Sequence, residues 1–315
     1  MSSQWIANME QAGSWIGSSR VSGPHRSGSR QLVAWIASLI AVATSSATIG
    51  RTVQAEDARS GSVRISERAS FSDDEIRDGF FKIAFGAELQ LGQRVERIRK
   101  FDEPVRVYVF NEGSPSRAVQ VASIIADIQA RIKQLDISMT QDMRAANLFV
   151  MLVQERNLKP AIRSLYGRER ANQIQRALDP QCLSGFAKDK RYRIRHAEVV
   201  LPVDADDSIF YDCAYEELLQ ALGPINDDRS VPWTMFNDDV QMGFFDIYDQ
   251  YLLNILYDQR IRPGMTKAQV GAVLPEVLPR VREWITASNV LHSAQHCAAA
   301  ANSEPGAQCG AAFPQ

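Results

Sequence analysis

The segment 147–153 constrains the fold of this chain more than any other stretch of its sequence. It reads Asn-Leu-Phe-Val-Met-Leu-Val and is apolar nearly throughout. A strand of this composition is buried on both faces, so it belongs inside a sheet that is covered on both sides. The segment Val105 to Phe110 alternates as a half-buried strand does, and Arg193 to Val203 predicts a further strand. We therefore expect a sheet with helices packed against it.

Helices are predicted between and after these strands. The first begins at Ser72, because the acidic residues that follow it favour the positive start of a helix, and it continues to Phe85. Others are predicted from Ser114 onward, from Pro160 to Ile174 and from Met242 to Tyr257. In the helix after Ser114, the spacing of apolar residues predicts one buried side made of Val119, Ala122, Ile124, Ile125, Ile128 and Ile132.

Composition excludes two classes of protein. Of the 315 residues, 45% are hydrophobic and 23% charged, which supplies a full core and is unlike a disordered chain. The formal net charge is -2, and no run of Lys and Arg with interleaved aromatic residues occurs. Because nucleic acid is bound mainly through basic surfaces, we expect no nucleic-acid partner.

The N-terminal region predicts export. Residues 1–31 are polar and basic, and residues 32–55 are predicted to form a signal peptide or a membrane anchor. The apolar part is shorter than the roughly 20 residues that span a bilayer, and Ala55 ends a small-residue cleavage site. An uncleaved anchor formed by residues 32–50 is the alternative. We expect a protein that is periplasmic or anchored to the inner membrane, with a polar linker over residues 56–70.

The cysteines agree with export. The chain has Cys182, Cys213, Cys297 and Cys309, an even number without a C-x-x-C pair. The simplest of the three connectivities joins Cys182 to Cys213 and Cys297 to Cys309. An oxidising compartment would keep both pairs oxidised. The second pair would lie in the Ala/Gly-rich tail, residues 291–315.

The sequence from Glu216 to Asn226 has the skeleton of the zinc helix of metzincin peptidases, H-E-x-x-H-x-x-G-x-x-H, without its histidines. In the intact motif the histidines bind zinc, the glutamate is the general base and the glycine allows a turn. Here Glu217 holds the base position, Gly223 the turn, and Glu216, Gln220 and Asn226 the ligand positions. Zinc prefers imidazole and thiolate ligands, so we expect no ordinary zinc peptidase.

Two hypotheses remain open for each part of this motif. Glu217 is either a catalytic base, with its pKa raised by burial and by Glu216, or one of two acidic residues early in a helix. Calcium would suit the oxygen atoms of Glu216, Gln220, Asn226 and Asp227 better than zinc would. The competing hypothesis is a relic, in which Gln220 and Asn226 anchor the following loop by hydrogen bonds. We favour the relic and expect no cofactor.

Several runs carry a resemblance to a known family: Phe81 to Glu88, Glu103 to Val107, Cys213 with Glu216 to Gly223, and Leu256 to Asp258 with Arg262 to Met265. From about Phe71 to Trp284 the chain resembles domain of unknown function 2927, an uncharacterised family of exported proteobacterial proteins. The resemblance implies a zincin-like fold, with a twisted mixed sheet over an active-site helix and Met265 near the methionine turn. It implies no demonstrated reaction.

We therefore expect an α+β fold over residues 71–290, in which a zincin-like mixed sheet packs on an active-site-type helix and a small helical subdomain follows. An aromatic cluster near this helix predicts either core packing or a binding cleft, the cleft being formed by Trp233, Phe236, Asn237, Asp238 and Met265. The expected function is non-catalytic: binding of a protein, peptide or glycan of the cell envelope. A hydrolase that uses Glu217 as general base is the alternative.

Overall fold

A computed structural model describes residues 68, 70–86, 96–178 and 180–303, with side chains described as far as Asn289. All of them belong to one compact unit, Gly61–Gln315. The predicted signal peptide or anchor, nearly all of the linker, and Cys309 lie outside the described residues. Within the described part of the chain, no helix is long and apolar enough to cross a membrane.

The described residues form six α-helices and a five-stranded sheet, which confirms the predicted α+β class. In chain order the elements are α1 (Asp73–Ile83), β1 (Val105–Asn111), α2 (Ala118–Arg131), β2 (Ile137–Met139), β3 (Leu148–Val153), α3 (Glu155–Ala177), β4 (Leu183–Lys188), β5 (Ile194–Pro202), α4 (Asp207–Gln220), α5 (Ile247–Tyr257) and α6 (Lys267–Ser303). A single turn of 3-10 helix, Met143–Ala145, precedes β3.

The sheet is mixed, with strand order β2-β1-β3-β5-β4. Strands β2, β1, β3 and β5 run parallel to one another, and β4 pairs antiparallel with β5 at one edge. All six residues of β3 are buried, as its apolar sequence predicts. Val150 at its centre pairs with Val109 of β1 and Val199 of β5, so these three valines form an apolar row across one face of the sheet.

Helices cover both faces of the sheet. Ser184 of β4 hydrogen-bonds to α4, whereas a side chain added at the next residue, Gly185, would meet Tyr166 of α3. Successive residues of a strand point to opposite faces, so α4 and α3 lie on opposite sides of the sheet. The core fills the α4 side, where Ala197, Val199 and Leu201 of β5 are fully buried.

The structure corrects several predicted boundaries. Helix α3 begins at Glu155 and contains Pro160 in its interior, and α5 begins at Ile247 rather than Met242 because the chain is still extended at Asp246. Val119 was expected on the buried side of α2 but is 80% exposed. Strands β2 and β4 were not predicted. The first helix begins as predicted, with Ser72 and Glu75 forming a reciprocal cap.

A disulfide joins Cys182, next to β4, to Cys213 of α4, with 5.9 Å between the two Cα atoms. It confirms the first predicted pair, while the second falls on residues whose side chains are not described. Because β4 is an edge strand with only β5 beside it in the described sheet, the disulfide fixes this edge to the helix that carries the motif.

The chain between α4 and α5, residues 221–246, contains no helix or strand. Its middle is buried: Thr234 and Phe236 have no exposed surface, and Asn237 is 3% exposed. The buried carboxylate of Asp249 on α5 accepts hydrogen bonds from the Thr234 hydroxyl and from the backbone N–H of Met235. We refer to residues 221–246 as the anchored loop.

Candidate functional site

The degenerate motif occupies the C-terminal half of α4 and the start of the anchored loop. Helix α4 is capped at its beginning by Asp206, whose carboxylate accepts the backbone N–H of Ile209, and it ends at Gln220. Glu216 and Glu217 therefore lie near the negative end of the helix dipole, where carboxylates are disfavoured. The prediction that they are acids early in a helix is wrong, and the dipole does not explain them.

Gln220 connects three groups through its amide. Its Nε2 atom lies 2.9 Å from Oδ1 of Asp227 and 3.4 Å from Oε1 of Glu216, so the amide donates toward two carboxylates. Its Oε1 atom accepts a hydrogen bond of 3.2 Å from the hydroxyl of Ser184 on β4. The side chain is 5% exposed. Gln220 thus ties α4 to the anchored loop and to the edge strand.

The third ligand position of the motif points to a different element. The Nδ2 atom of Asn226 donates to the carbonyl oxygen of Lys82 at 2.9 Å, at the end of α1. Its Oδ1 atom lies beside Gly86, where a Cβ atom would come within 2.9 Å. Asn226 therefore holds the loop against the end of α1, while the Gln220 amide donates to both Glu216 and Asp227.

Gly223, the turn glycine of the motif, is required by packing. Its φ is +138°, which side chains rarely tolerate, and an added Cβ would lie 2.2 Å from the carbonyl oxygen of Arg99. Its N–H donates to the carbonyl of Gln220 at 2.9 Å. The glycine is needed at the end of α4 whether or not the helix binds a metal.

Carboxyl groups crowd this end of α4. Burial raises the pKa of Glu216 well above its usual range, and the nearby charges of Glu217, Asp227, Asp212 and Asp238 raise it further. Glu217, at the base position, is 7% exposed. It also approaches α3, since its charge is among the causes that raise the pKa of the buried Tyr166 phenol, after burial itself and Glu198.

The residues predicted to form a binding cleft have separate roles. Phe236 and Met265 are buried, at 0% and 7% exposure. Asn237 is also buried and donates to the carbonyl of Val231 at 3.0 Å, so these three residues do not line an open groove. Trp233 packs against Phe71, with ring centroids 6.0 Å apart. Of the five, Asp238 is the exposed one, paired with Arg229.

The polar side chains of the motif are joined to one another by hydrogen bonds. Within the described part of the chain, no three His, Cys, Asp or Glu side chains are grouped so that they could hold one. A hard cation would need oxygen atoms directed at it. Between Glu216 and Asp227 the structure places the amide nitrogen of Gln220, which is a hydrogen-bond donor and not a ligand.

A pocket that the sequence did not predict lies where α2, α4, α5 and α6 meet. It has a volume of about 650 Å³, and its lining includes Asp127, Arg131, Tyr215, Phe244 and Asn289. The one signal in the sequence is the spacing of Asp127 and Arg131, which pair across one turn of α2. The remaining residues come from distant parts of the chain, and only the fold brings them together.

Comparisons with known proteins identify one family. The model of a family described as a protein of unknown function, DUF2927, matches residues 73–276, well over half of the chain. Neither the curated proteins nor the solved structures contain a match. The chain therefore belongs to the DUF2927 family of proteins of unknown function.

Proposed function

We propose that this protein is exported and acts in the cell envelope as a non-catalytic binding protein, built on a zincin-like domain whose metal site has been replaced by hydrogen bonds. The observation that carries this proposal is the position of Gln220. Its amide nitrogen lies 2.9 Å from Asp227 and 3.4 Å from Glu216. In a metal site of this kind, a cation would lie between such carboxylates.

The physical argument concerns charge and donor atoms. Two carboxylates that face each other in a buried place repel, and either a cation or a hydrogen-bond donor offsets that repulsion. An amide N–H₂ supplies donors without requiring an oxygen-lined cage. Asn226 supports the same conclusion, because its amide nitrogen is bonded to Lys82 at the end of α1. Both amides stabilise the anchored loop, so neither needs a metal to be useful.

Two features support export and zincin-like ancestry. The Cys182–Cys213 disulfide is typical of proteins from oxidising compartments. The sheet is mixed, and its one antiparallel strand, β4, lies at the edge beside α4. The family resemblance implies a mixed sheet over an active-site helix, and the mixed sheet beside α4 supports that part of the proposal.

Metal content tests the proposal. The wild-type protein would be purified from the periplasm without chelator or metal-affinity resin and analysed by mass spectrometry beside the Glu216→Ala, Gln220→Ala double variant. We expect both to contain metal only at the level of a protein-free buffer control. One equivalent of metal in the wild type that is lost in the variant would overturn the proposal.

A hydrolase is the second candidate, and the electrostatics of Glu216 favour it. The pKa of this carboxyl is raised by burial and, next, by Glu217. Two adjacent carboxyl groups, one of them with a raised pKa, are a common arrangement for general acid-base catalysis. Glu217→Gln removes the proposed base while keeping its shape. Hydrolysis of a fluorescent casein or of a chromogenic ester that disappears in this variant, with a bell-shaped pH profile in the wild type, would support the hydrolase over the binding protein.

A further inference from the structure

The pocket between α2, α4, α5 and α6 has the properties of a ligand site. Its volume of about 650 Å³ lies within the usual range of about 300–1,000 Å³ for small-molecule pockets. Small residues of α2, Ser123, Ala126 and Ala130, line one side and leave the space open. Phe244 lines the pocket as well and is 38% exposed. Large hydrophobic side chains are seldom this exposed in the described part of the molecule.

The polar side chains of the pocket are held in place by one another. Nε of Arg131 donates to Oδ1 of Asp127 at 2.6 Å, and the hydroxyl of Tyr215 donates to Oδ2 of the same carboxylate at 3.2 Å. Nη1 of Arg131 donates to Asn289 at 3.1 Å, and the Asn289 amide donates to Gln250 at 2.9 Å. These five residues come from four helices. A ligand would therefore meet groups that are already oriented, at little cost in conformational entropy.

The side chains that line the pocket offer both hydrogen-bond donors and hydrogen-bond acceptors to a ligand. The contacts made within the described residues use two of the five N–H groups of Arg131, and a carboxylate such as Asp127 has four acceptor sites. The Tyr215 oxygen remains an acceptor, and because burial and Asp127 raise the pKa of its phenol, it stays neutral at physiological pH. A ligand that suits this lining carries several groups that both donate and accept.

Charge narrows the class of ligand. The carboxyl groups of Asp127 and Asp246 and the guanidinium of Arg131 line the pocket, so acids outnumber bases by two to one. Anionic ligands such as phosphates and carboxylates are therefore disfavoured. Sugars without a negative charge meet these requirements, because their hydroxyl groups donate and accept and their apolar C–H faces can lie against an aromatic ring such as Phe244.

We propose that this pocket binds one or two residues of a glycan that carries no negative charge. The proposal rests on the proposed binding function and names its ligand class. Phe244 supplies the apolar platform, while Asp127, Arg131 and Tyr215 bond to the hydroxyl groups. The degenerate motif takes no part in it, since Tyr215 contacts α2, whereas its neighbour Glu216 accepts from Gln220, which bonds to the anchored loop.

The test uses three sugars that share one ring and differ in charge: glucose, glucosamine and glucuronate, each also as a β1,4-linked disaccharide. Binding to the exported, disulfide-containing chain would be measured by saturation-transfer NMR and calorimetry. Phe244→Ala should weaken binding about tenfold, the equivalent of one lost aromatic contact. Val119→Ala is the matched control, because Val119 is an exposed apolar residue of α2 outside the pocket lining, and we expect no change.

Tyr215→Phe provides a second probe that keeps the ring and removes one hydroxyl group. It should weaken the binding of the neutral and cationic sugars several-fold while leaving the circular dichroism spectrum of the protein unchanged. The proposal is overturned if none of the six sugars binds the wild type, if glucuronate binds best, or if Phe244→Ala and Val119→Ala behave alike. None of these outcomes affects the metal measurement, so the binding function and its ligand class can fail separately.

Discussion

The sheet and the anchored loop stabilise the same domain by different means. In the sheet, β1, β3 and β5 pair through regular backbone ladders, and apolar side chains such as Val150 and Val199 fill the interior. The anchored loop has no ladder, and besides a few backbone bonds, such as that from the N–H of Asp228 to the carbonyl of Phe236, side chains bond to its backbone. Asp249 accepts from Met235, and Asp212 accepts from Met242. Unsatisfied backbone groups are costly when buried, so each of these polar side chains matters individually.

The difference bears on the motif in α4. Under the proposed function, the ligand positions of the motif hold the loop instead of a metal: Gln220 bonds to Asp227, and Asn226 bonds to Lys82. The sheet depends on buried apolar area, which varies little with pH. The anchored loop depends on buried carboxyl groups, so we expect its stability to change with pH.

The largest effect is expected for Gly223→Ala. The positive φ and the 2.2 Å approach of the Arg99 carbonyl each penalise a side chain, and together they should lower the free energy of unfolding by about 5 kcal/mol. Gly167→Ala is the control, since its φ of +75° and ψ of 165° also disfavour a side chain but nothing lies within 4 Å of an added Cβ, and it should cost about 2 kcal/mol. Urea denaturation would compare them, and equal costs would show that the close packing at α4 is unimportant.

The second-largest loss of stability is expected on removal of the disulfide between β4 and α4. Replacing both Cys182 and Cys213 by serine opens a loop of 31 residues and should lower the free energy of unfolding by about 4 kcal/mol. The measurement is chemical denaturation of the wild type and the double variant under oxidising conditions. A reducing agent should bring the wild type down to the variant. If the wild type and the variant still differ in free energy of unfolding in the presence of the reducing agent, the stabilisation does not come from the disulfide.

A smaller, pH-dependent effect is expected at Asp249. Burial raises its pKa from 3.8 to about 7, so the folded state binds a proton that the unfolded state releases. Its contribution is therefore fully present below pH 3.8 and is lost as the pH rises to about 7. Asp249→Asn keeps a hydrogen-bond donor and an acceptor without the charge. Across this pH window, the free energy of unfolding of the variant should change by about 2–4 kcal/mol less than that of the wild type.

Denaturation of both proteins at pH 5 and pH 8 checks this prediction. The sheet variant Val150→Ala serves as the control, because removing apolar side-chain volume should shift stability by the same amount at both pH values. An Asp249→Asn protein that keeps the full pH dependence of the wild type would contradict the assignment.

The smallest effect is expected for Ser184→Ala. It removes the hydroxyl that donates to Gln220 at 3.2 Å and should cost about 1 kcal/mol. In the Gln220→Ala background the same change should cost almost nothing, because the partner is already absent. A double-mutant cycle of unfolding free energies measures this coupling, and additive costs would mean that the two residues do not act together.

Local patterns predicted the fold well where a single property dominates. The apolar run 147–153 indicated an internal strand, and Ser72 with the acidic residues after it indicated the start of α1. Prediction from local sequence failed where contacts with residues distant in the sequence determine the structure. Strand β4 reads Leu-Ser-Gly-Phe-Ala-Lys, whose glycine and small residues resemble a loop, and pairing with β5 and the disulfide make it a strand. Val119 has helical spacing, but nothing packs over it.

The candidate site was less accessible to sequence analysis. Motif spacing identified Glu216, Gln220 and Asn226, since their positions are local to one helix and turn. Their partners could not be read from spacing: Ser184 is 36 residues from Gln220, and Lys82 is 144 residues from Asn226. The pocket shares this property, because Arg131 and Asn289 are 158 residues apart. Contacts of this length depend on how the helices pack on the sheet.

The most direct test of the central claim is the free energy of unfolding of the chelator-treated protein, measured with and without saturating zinc or calcium. If hydrogen bonds have replaced the metal, neither cation binds the folded state selectively, and the denaturation midpoint should stay unchanged. A metal that does bind the folded state adds about 2.7 kcal/mol at one hundred times its dissociation constant. A stabilisation of that size, abolished by Glu216→Ala, would contradict the account.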